Sequence, residues 1–341
     1  MKIAVIGAGV TGCLLANSLS STGMDVSIFE KSRGCGGRAS TKQTSWGQCD
    51  LGATIVPAQK ADFIKFMQSL CDKNIASKWP ENVFLSKQNP GVTQALEKYV
   101  GDRQYYVFNH KMNAACRHWI QNANLNTSSL ISQVRYLVGK GWQLKSNDIW
   151  QPEWFDKVVL TTPWPQSQVL IEKSELPLKQ SDFSQSWTSC WSIALKLEQL
   201  VANDVDLVYL KDQSIQTLVR DSNKPLRPQV IRLEEASKSE IWVVQLANKC
   251  SDDLGKLGKE KAISIAIKGL CELFDLPYES ISNHYAHYWR YARPSPGQKP
   301  LGILSLPAEG IYVGGDWSFG PSIESAYEAA LALSQAITTG E

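Results

Sequence analysis

Three glycines and one acid near the start of the chain have the spacing of a nucleotide-binding turn. Gly7, Gly9 and Gly12 form a G-x-G-x-x-G pattern, and Glu30 follows eighteen residues after Gly12. In such a turn the first glycine permits a sharp bend, the second lets a pyrophosphate approach the backbone, and the third lets a helix lie close to the sheet. Because the acid can accept hydrogen bonds from ribose hydroxyls, the pattern predicts a dinucleotide site, without indicating which dinucleotide.

The elements needed to position these residues are present around them. Residues 2–6 are a short apolar run typical of a strand buried on both faces, and residues 11–23 have the pattern of a helix closed by Gly23. Residues 25–30 predict a second strand that ends at Glu30. This context strengthens the dinucleotide interpretation, because the free N–H groups at the start of such a helix attract a pyrophosphate.

A loop rich in glycine and arginine follows this acid. Lys31 and Arg33 would suit the 2′-phosphate of NADP, but the carboxylate of Glu30 would repel that phosphate. Gly37 lets the backbone lie flat against a ligand, and the guanidinium of Arg38 can form two hydrogen bonds to phosphate oxygens. The loop is therefore interpreted as part of a phosphate-binding site.

The C-terminal region contains a second glycine turn followed by a helix. Residues 311–313 predict a strand, Gly315 and Asp316 form the turn, and Ser322 is placed to cap the helix. The positive end of such a helix stabilises negative charge on a bound group. Apolar residues recur along one face of the predicted helix: Ile323, Ala326, Tyr327, Ala330, Leu333 and Ile337.

These segments together resemble the FAD-binding half of the flavin amine oxidase superfamily. The resemblance is carried by the acid that ends the second strand, by G-G-R at residues 36–38, by D-x-G-A at residues 50–53 and by the C-terminal G-D turn. The stretch KSRGCGGRAST is most similar to the bacterial renalase-like branch. The resemblance implies non-covalently bound FAD held by Gly7, Gly9, Gly12, Glu30, Lys31, Gly37, Arg38, Ala53, Ile131, Thr162, Gly315, Asp316, Ile323 and Glu324.

The fold class that the resemblance implies is α/β, of the p-hydroxybenzoate-hydroxylase type. A Rossmann-like FAD-binding domain would carry an inserted α+β substrate domain with an antiparallel sheet. We expect the FAD-binding domain at residues 1–56, 97–165 and 295–341, and the substrate domain at residues 57–96 and 166–294.

Two further elements are predicted from the residues alone. Residues 130–146 alternate between apolar and polar side chains, as in a hairpin that turns at Gly139 and Gly141. A helix in the predicted substrate domain has an apolar stripe made of Ile263, Ile267, Leu270 and Phe274.

Aromatic and basic side chains are concentrated in residues 284–297, HYAHYWRYARPSPG. This stretch resembles the H-x-W-x-Y-A-R-P segment of renalase-like proteins. The resemblance implies aromatic walls beside the flavin and a basic contact for a substrate phosphate or carboxylate. An amphipathic strand whose aromatic residues fill the core is the alternative interpretation. The candidate catalytic residues are Trp289, Tyr291, His287 and Arg290.

The renalase-like branch oxidises 2- and 6-dihydro isomers of NAD(P)H by hydride transfer to flavin N5 and reduces O2 to H2O2. The resemblance implies this activity here. Residues 54–57, TIVP, replace a polar-aromatic run and lose aromatic surface. Two alternatives stay open, a flavin amine oxidase acting on a small amine and a flavin-binding protein without catalysis. A carotenoid-type desaturase would need a membrane-docking apolar surface, which we do not find in the sequence.

Composition bears on partners and location. The chain has 341 residues and a formal net charge of +2, which favours neither nucleic acid nor an acidic membrane surface as partner. Its eight cysteines are scattered without a C-x-x-C pair, so we expect no metal site and no disulfide framework. Reduced thiols are typical of the cytoplasm, and the apolar stretch before Cys13 is too short for an export signal. We expect a cytoplasmic protein that binds a small-molecule substrate and O2; its oligomeric state stays open.

Overall fold

A computed structural model describes residues 1–87, 95–178, 185–201, 204–210, 214–227 and 239–340. Its helices are α1 (Val10–Ser21), α2 (Ala61–Asp72), α3 (Ala114–Trp119), α4 (Trp164–Lys173), α5 (Asn248–Leu254), α6 (Lys259–Phe274) and α7 (Ile323–Thr339). Its strands are β1 (Lys2–Ile6), β2 (Asp25–Phe29), β3 (Thr41–Thr44), β4 (Gly47–Asp50), β5 (Val56–Ala58), β6 (Ala76–Lys78), β7 (Val83–Lys87), β8 (Ala95–Lys98), β9 (Gln104–Phe108), β10 (Asn124–Asn126), β11 (Ile131–Leu137), β12 (Gly141–Ser146), β13 (Ile149–Phe155), β14 (Lys157–Leu160), β15 (Trp187–Leu197), β16 (Leu207–Leu210), β17 (Ile215–Arg220), β18 (Glu240–Leu246), β19 (Ile281–Pro294), β20 (Leu304–Leu306) and β21 (Ile311–Val313). Over this described part of the chain, we find no helix with the length and apolar character that a bilayer crossing requires.

The chain forms two compact units, each assembled from separated segments. Unit 1 contains residues 1–38, 113–186 and 293–341, and unit 2 contains residues 39–112 and 187–292. The segments alternate between the units in the same order as in the predicted domains, although the bounds differ. Which unit holds a cofactor and which a substrate stays a prediction.

One difference from the predicted bounds concerns residues 39–56, which were expected with the FAD-binding segments and belong to unit 2. Side chains far away in the sequence hold this stretch. The indole N–H of Trp289 donates to the carbonyl of Leu51 at 2.7 Å, and the amide of Gln245 donates to the carbonyl of Gly52 at 2.7 Å. Hydrogen bonds between such distant residues leave no periodic signal in a sequence.

Unit 1 is built on a six-stranded sheet with the order β10-β2-β1-β14-β21-β20. The four central strands are short apolar runs that are almost entirely buried, as expected where both faces of a sheet are covered. Ile6 lies opposite both Phe29 and Leu160, and Leu160 lies opposite Val313, all in parallel pairs. The carboxyl ends of these four strands therefore meet at one edge, and the predicted strand–turn–helix–strand order is confirmed.

A separate antiparallel sheet of β11, β12 and β13 also belongs to unit 1. The predicted hairpin is confirmed, with Leu137 opposite Gly141 in the pairing of β11 and β12. Gly139 and Gly141 have φ values of +79° and +93°, conformations that residues with a Cβ rarely adopt.

Unit 2 contains a seven-stranded sheet with the order β19-β15-β18-β17-β16-β7-β8. The strands from β15 through β18 and β17 to β16 pair antiparallel in succession, and β16 then pairs parallel with β7. Ile263 and Leu270 of α6 are buried in the same core as Trp242, while Ile267 and Phe274 pack against that core. The predicted antiparallel sheet with an apolar helix is confirmed, and the parallel β7 pairing is an addition.

Four charged residues form a buried ionic cluster in unit 2: Asp50, Asp221, Lys224 and Arg227. The Lys224 ammonium lies 2.7 Å from Asp50 Oδ2 and 2.5 Å from Asp221 Oδ1, and Arg227 pairs with both carboxylates. Burial lowers the pKa of Lys224 and raises the pKa of Asp221, while their mutual attraction opposes both shifts. Because Asp50 ends β4, this cluster anchors the start of the D-L-G-A segment.

Replacing Lys224 by methionine leaves two buried carboxylates with one cation. We expect Lys224→Met to reduce the free energy of unfolding by about 3–5 kcal/mol, the usual cost of a broken buried ion pair. Urea denaturation followed by tryptophan fluorescence measures this change. Lys249→Met is the matched control, because the Lys249–Asp253 pair is exposed and should leave the midpoint unchanged. Equal midpoints for the two variants would show that the cluster does not stabilise unit 2.

Candidate functional site

The turn after β1 lies at the edge of the unit 1 sheet where the parallel strands end. Gly7 has φ +111°, its N–H donates to the carbonyl of Phe29 at 2.9 Å, and its carbonyl accepts from the Thr161 hydroxyl at 2.8 Å. A Cβ on Gly7 would lie 3.0 Å from that hydroxyl oxygen. The turn is therefore fixed by both neighbouring strands, in the tight conformation that the sequence predicted.

Gly9, the N-cap residue before α1, and Gly12, in the first turn of α1, have different surroundings. A Cβ on Gly12 would lie 2.0 Å from the carbonyl oxygen of Gly7, so only glycine allows this approach of helix and turn. A Cβ on Gly9 would meet no atom within 4 Å, and Gly9 precedes the helix without a side chain that could cap it. The backbone N–H groups of the first turn of α1 thus remain available to an anion beside an open position.

The carboxylate of Glu30 stabilises the same turn by accepting hydrogen bonds from backbone N–H groups. It accepts from the N–H of Ala8 at 3.0 Å and from the N–H of Ser32 at 2.8 Å, and the residue is buried. Each carboxylate oxygen has a second lone pair, so these bonds leave acceptor capacity for ligand hydroxyls. Glu30 therefore has a structural role in this turn, and its binding of a ribose stays a prediction.

The glycine loop lies against the turn. The N–H of Gly36 donates to the carbonyl of Ala8 at 2.7 Å, Gly9 and Gly36 form a parallel bridge, and a Cβ on Gly37 would lie 3.2 Å from the Cα of Gly9. Gly37 has φ +52°. Close backbone contact between the two glycine segments explains why glycine occurs in both.

The C-terminal turn meets this loop directly. Arg38 donates to Asp316 Oδ1 at 2.7 Å, although 278 residues separate them. The N–H of Gly314 donates to the carbonyl of Leu160 at 3.0 Å, and the N–H of Gly315 to the Ser318 hydroxyl at 3.1 Å. The structure therefore brings the N-terminal and C-terminal predicted cofactor segments together, and it pairs Arg38 with a protein carboxylate.

Helix α7 begins where the sequence predicted. Ser322 is the N-cap, and its hydroxyl accepts from the N–H of Ser325 at 3.0 Å. Ile323 and Glu324 form its first turn, with Glu324 buried. The helix dipole places partial positive charge at this end.

The other predicted cofactor residues are more dispersed. Ile131 is buried at the start of β11, and Thr162 bonds through its hydroxyl to Ser167 at 2.8 Å and through its carbonyl to the Trp317 indole at 3.0 Å. Lys31 is exposed and reaches Gln166 at 3.1 Å. Ala53 belongs to unit 2.

The predicted catalytic residues lie along β19. The rings of His287 and Trp289 lie 4.3 Å apart, Tyr291 has the Arg290 guanidinium 5.2 Å from its ring centre, and the indole N–H of Trp289 is bonded to the carbonyl of Leu51. Lys42 lies 4.9 Å from the ring centre of Tyr285 on the same strand. Burial and, to a smaller extent, the charge of Lys42 lower the pKa of His287, so the ring is neutral near pH 7.

Sequence reasoning missed the residues that fix the D-L-G-A segment. Lys224 binds Asp50, Gln245 binds Gly52 and Trp289 binds Leu51. Only Trp289 had been selected, and as a flavin contact. A lysine next to a proline and a glutamine inside a strand carry no signal that separates them from surface residues.

Residues 54–57, TIVP, lie before and within the start of β5. Thr54 and Val56 are buried, and Val56 lies opposite Tyr106 of β9. Two of these four residues thus fill the interior of unit 2.

Comparison with known proteins supports the fold. The NAD(P)-binding Rossmann-like domain family matches residues 5–70. An oxidoreductase from Methanosarcina mazei superimposes with a TM-score of 0.74 at 14% identity, over 98% of this chain and 100% of its own. A protein from Exiguobacterium sp. 255-15 with a provisional protoporphyrinogen oxidase assignment gives 0.75 at 11% identity, over 100% and 99%. A triple mutant of putrescine oxidase gives 0.68 at 10% identity, over 100% and 99%.

Sequence similarity to curated proteins is local. A 4,4′-diapophytoene desaturase from Staphylococcus aureus strain bovine RF122 / ET3-1 is 45% identical over 74 residues, which cover 22% of this chain and only 14% of the desaturase. The predicted α/β fold class with its Rossmann-like domain is confirmed by these matches and by the sheet order.

Gly12 and Gly9 allow a matched test of the turn. Gly12→Ala places a methyl group 2.0 Å from the Gly7 oxygen, so the helix must move; we expect a loss of about 3 kcal/mol in the free energy of unfolding. Gly9→Ala meets no atom and should change it by no more than about 1 kcal/mol. Thermal unfolding of the two variants distinguishes them, and similar losses would contradict the described turn.

The lowered pKa of His287 predicts how stability depends on pH. The unfolded chain binds a proton at His287 more readily than the folded chain, so stability is fully present above the unfolded value of about 6.5 and is lost as pH falls below it. We expect His287→Gln to reduce the loss of stability between pH 7 and pH 5, measured by urea denaturation at each pH. An unchanged pH slope in His287→Gln would contradict this assignment.

Proposed function

We propose that this chain binds FAD non-covalently through unit 1 and acts as an FAD-dependent oxidoreductase. The observation that carries the proposal is the Arg38–Asp316 pair, which joins the predicted pyrophosphate loop to the predicted C-terminal flavin segment. Both lie with the Gly7–Gly12 turn, because Gly36 binds the carbonyl of Ala8 and bridges Gly9. Two distant motifs of one cofactor signature would not meet by chance at the carboxyl edge of a parallel sheet, which is where such sheets bind ligands.

The residues present fit a dinucleotide. The first turn of α1 offers uncapped N–H groups, and the open space at Gly9 admits a pyrophosphate close to the backbone. Glu30 retains lone pairs for ribose hydroxyls. The positive end of α7 would stabilise the negative charge of a reduced flavin. When bound, FAD supplies the hydride-accepting and electron-transferring chemistry.

For the substrate, we infer a reduced nicotinamide dinucleotide, in the form of the 2- or 6-dihydro isomers of NAD(P)H, with O2 reduced to H2O2. The His287 and Trp289 rings on β19 pack edge to face and offer aromatic surface to a nicotinamide, and the His287 ring is neutral. Lys42 lies beside the Tyr285 ring and Arg290 beside the Tyr291 ring of the same strand, and their positive charge suits the phosphates of a dinucleotide. Trp289 and Tyr291 would orient the ring, and restoration of nicotinamide aromaticity makes a general base unnecessary.

A flavin amine oxidase is the second candidate, because the fold is similar to that of putrescine oxidase. The positive charge of Lys42 beside Tyr285 disfavours it, because a cationic amine would be repelled there. A flavin-binding protein without catalysis is the third candidate, since TIVP removes aromatic surface from the predicted flavin side.

Cofactor binding is tested by titrating the flavin-free protein with FAD and following flavin fluorescence. We expect Gly9→Val to weaken FAD binding by about 100-fold or more, because its side chain fills the space beside the first turn of α1. Its thermal midpoint without FAD should stay close to that of the wild type, because no protein atom lies within 4 Å of the new Cβ. A wild-type protein that takes up no FAD would overturn the proposed function.

Substrate class is tested by mixing the FAD-loaded protein anaerobically with 6-dihydro-NAD or with putrescine. We expect the visible flavin absorbance to bleach with the first compound alone and to return, with H2O2 formed, when O2 is admitted. Bleaching by putrescine alone would establish the amine oxidase. Unchanged absorbance with both compounds and with other dihydronicotinamides would favour the non-catalytic protein.

A further inference from the structure

Three free cysteines from separate segments meet beneath the glycine turn of unit 1. Cys13 belongs to α1, Cys35 to the glycine loop and Cys116 to α3, and all three side chains are buried. The Cys13 thiol is within hydrogen-bonding reach of the thiols of both Cys35 and Cys116. No group of cysteine, histidine, aspartate and glutamate side chains suited to a metal ion occurs in the described part of the chain. We therefore consider the thiol chemistry of this cluster.

Backbone contacts fix the position of Cys35 relative to Cys13. The carbonyl of Ala8 accepts from the Cys13 thiol at 3.4 Å and from the N–H of Gly36 at 2.7 Å, so one oxygen joins α1 to the residue after Cys35. On the other side, the Asn113 amide donates to the carbonyl of Cys35 at 3.4 Å. These bonds hold the backbone of Cys35 close to the carbonyl that accepts from the Cys13 thiol.

The two thiols differ in acidity. Hydrogen bonding with the Cys13 thiol and, to a smaller extent, the charge of the Arg117 guanidinium lower the pKa of Cys35 to about 7, although burial opposes this shift. Hydrogen bonding to the neighbouring thiols, together with burial, raises the pKa of Cys13. Cys35 therefore carries a substantial thiolate fraction near neutral pH, and Cys13 remains a protonated thiol beside it.

We propose that Cys35 is a peroxide-sensitive modification site and that Cys13 resolves it as a disulfide. The Cys35 thiolate attacks one oxygen of hydrogen peroxide, the O–O bond breaks, and the hydroxide released takes up a proton to give water and the sulfenic acid. The Cys13 sulfur then attacks the Cys35 sulfur, and the sulfenic hydroxyl leaves as water with the Cys13 proton. Two thiols are oxidised by two electrons, and one peroxide is reduced to two waters.

The disulfide would join the glycine loop covalently to α1, next to the Gly9–Gly36 bridge. Hydrogen peroxide is also the product of the proposed oxidase activity, which gives the site a local source of oxidant. The thiol chemistry itself is independent of that activity, because added peroxide replaces the source.

The reduced wild-type chain is treated with hydrogen peroxide near pH 7.5, remaining thiols are alkylated, and peptides are mapped without reduction. We expect a linked peptide pair that contains Cys13 and Cys35 and that disappears on treatment with dithiothreitol. Cys71 is the internal comparison: it is more exposed, but burial raises its pKa. Exposure alone would favour oxidation of Cys71. We instead expect the free thiol of Cys35 to disappear about tenfold faster than that of Cys71.

Variants separate the roles of the three cysteines. Cys13→Ser should leave a persistent Cys35 sulfenic acid that dimedone labels, and Cys116→Ser should still form the Cys13–Cys35 link. Arg117→Gln changes an exposed residue and should raise the pH at which Cys35 becomes reactive towards iodoacetamide. A link between Cys13 and Cys116, or loss of Cys35 no faster than loss of Cys71 in the wild type, would overturn the proposal.

Discussion

The carbonyl and the N–H of Ala8 connect the elements on which the candidate site depends. The N–H donates to Glu30 at the end of β2, and the carbonyl accepts from Gly36 in the glycine loop. Both bonds require the turn after β1 to be as tight as Gly7 and Gly12 permit. Once the turn, the acid and the loop are fixed together, Arg38 is placed to reach Asp316. The phosphate-binding interpretation therefore rests on backbone geometry more than on any single charged side chain.

A second constraint operates in unit 2. Asp50, Leu51 and Gly52 are consecutive residues, and each is held by a side chain from a distant part of the sequence. Two of these contacts use a neutral donor and a backbone carbonyl, and the third uses the buried ionic cluster. Buried charges are costly unless each is paired, so the cluster specifies one arrangement of the segment at the expense of stability that apolar residues could supply. The D-L-G-A segment is consequently defined by its neighbours as much as by its own residues.

The same glycine loop combines two kinds of chemistry. Its backbone and Arg38 belong to the proposed cofactor site, while the thiol of Cys35 interacts with the thiol of Cys13. Because the neighbouring glycines are small, the loop approaches the start of α1 closely, and this places both Arg38 and Cys35 near the glycine turn. Oxidation of the thiol pair and binding of a dinucleotide would therefore act on the same few backbone atoms, which links the two proposals physically without making one depend on the other.

The sequence by itself determined the local elements of this site. Apolar runs of three to six residues, glycines at fixed spacing, Glu30 at a strand end and Ser322 at a helix start each encode their structure within a short span, because strand burial, turn conformation and helix capping depend on near neighbours. Only the tertiary structure decided which of these residues meet. The pairing of Arg38 with Asp316, the grouping of residues 39–56 with unit 2, the ionic cluster around Lys224 and the juxtaposition of Cys13, Cys35 and Cys116 all join residues far apart in the chain. Such contacts follow from the register of parallel strands and from loop closure, which no local pattern of residue types records.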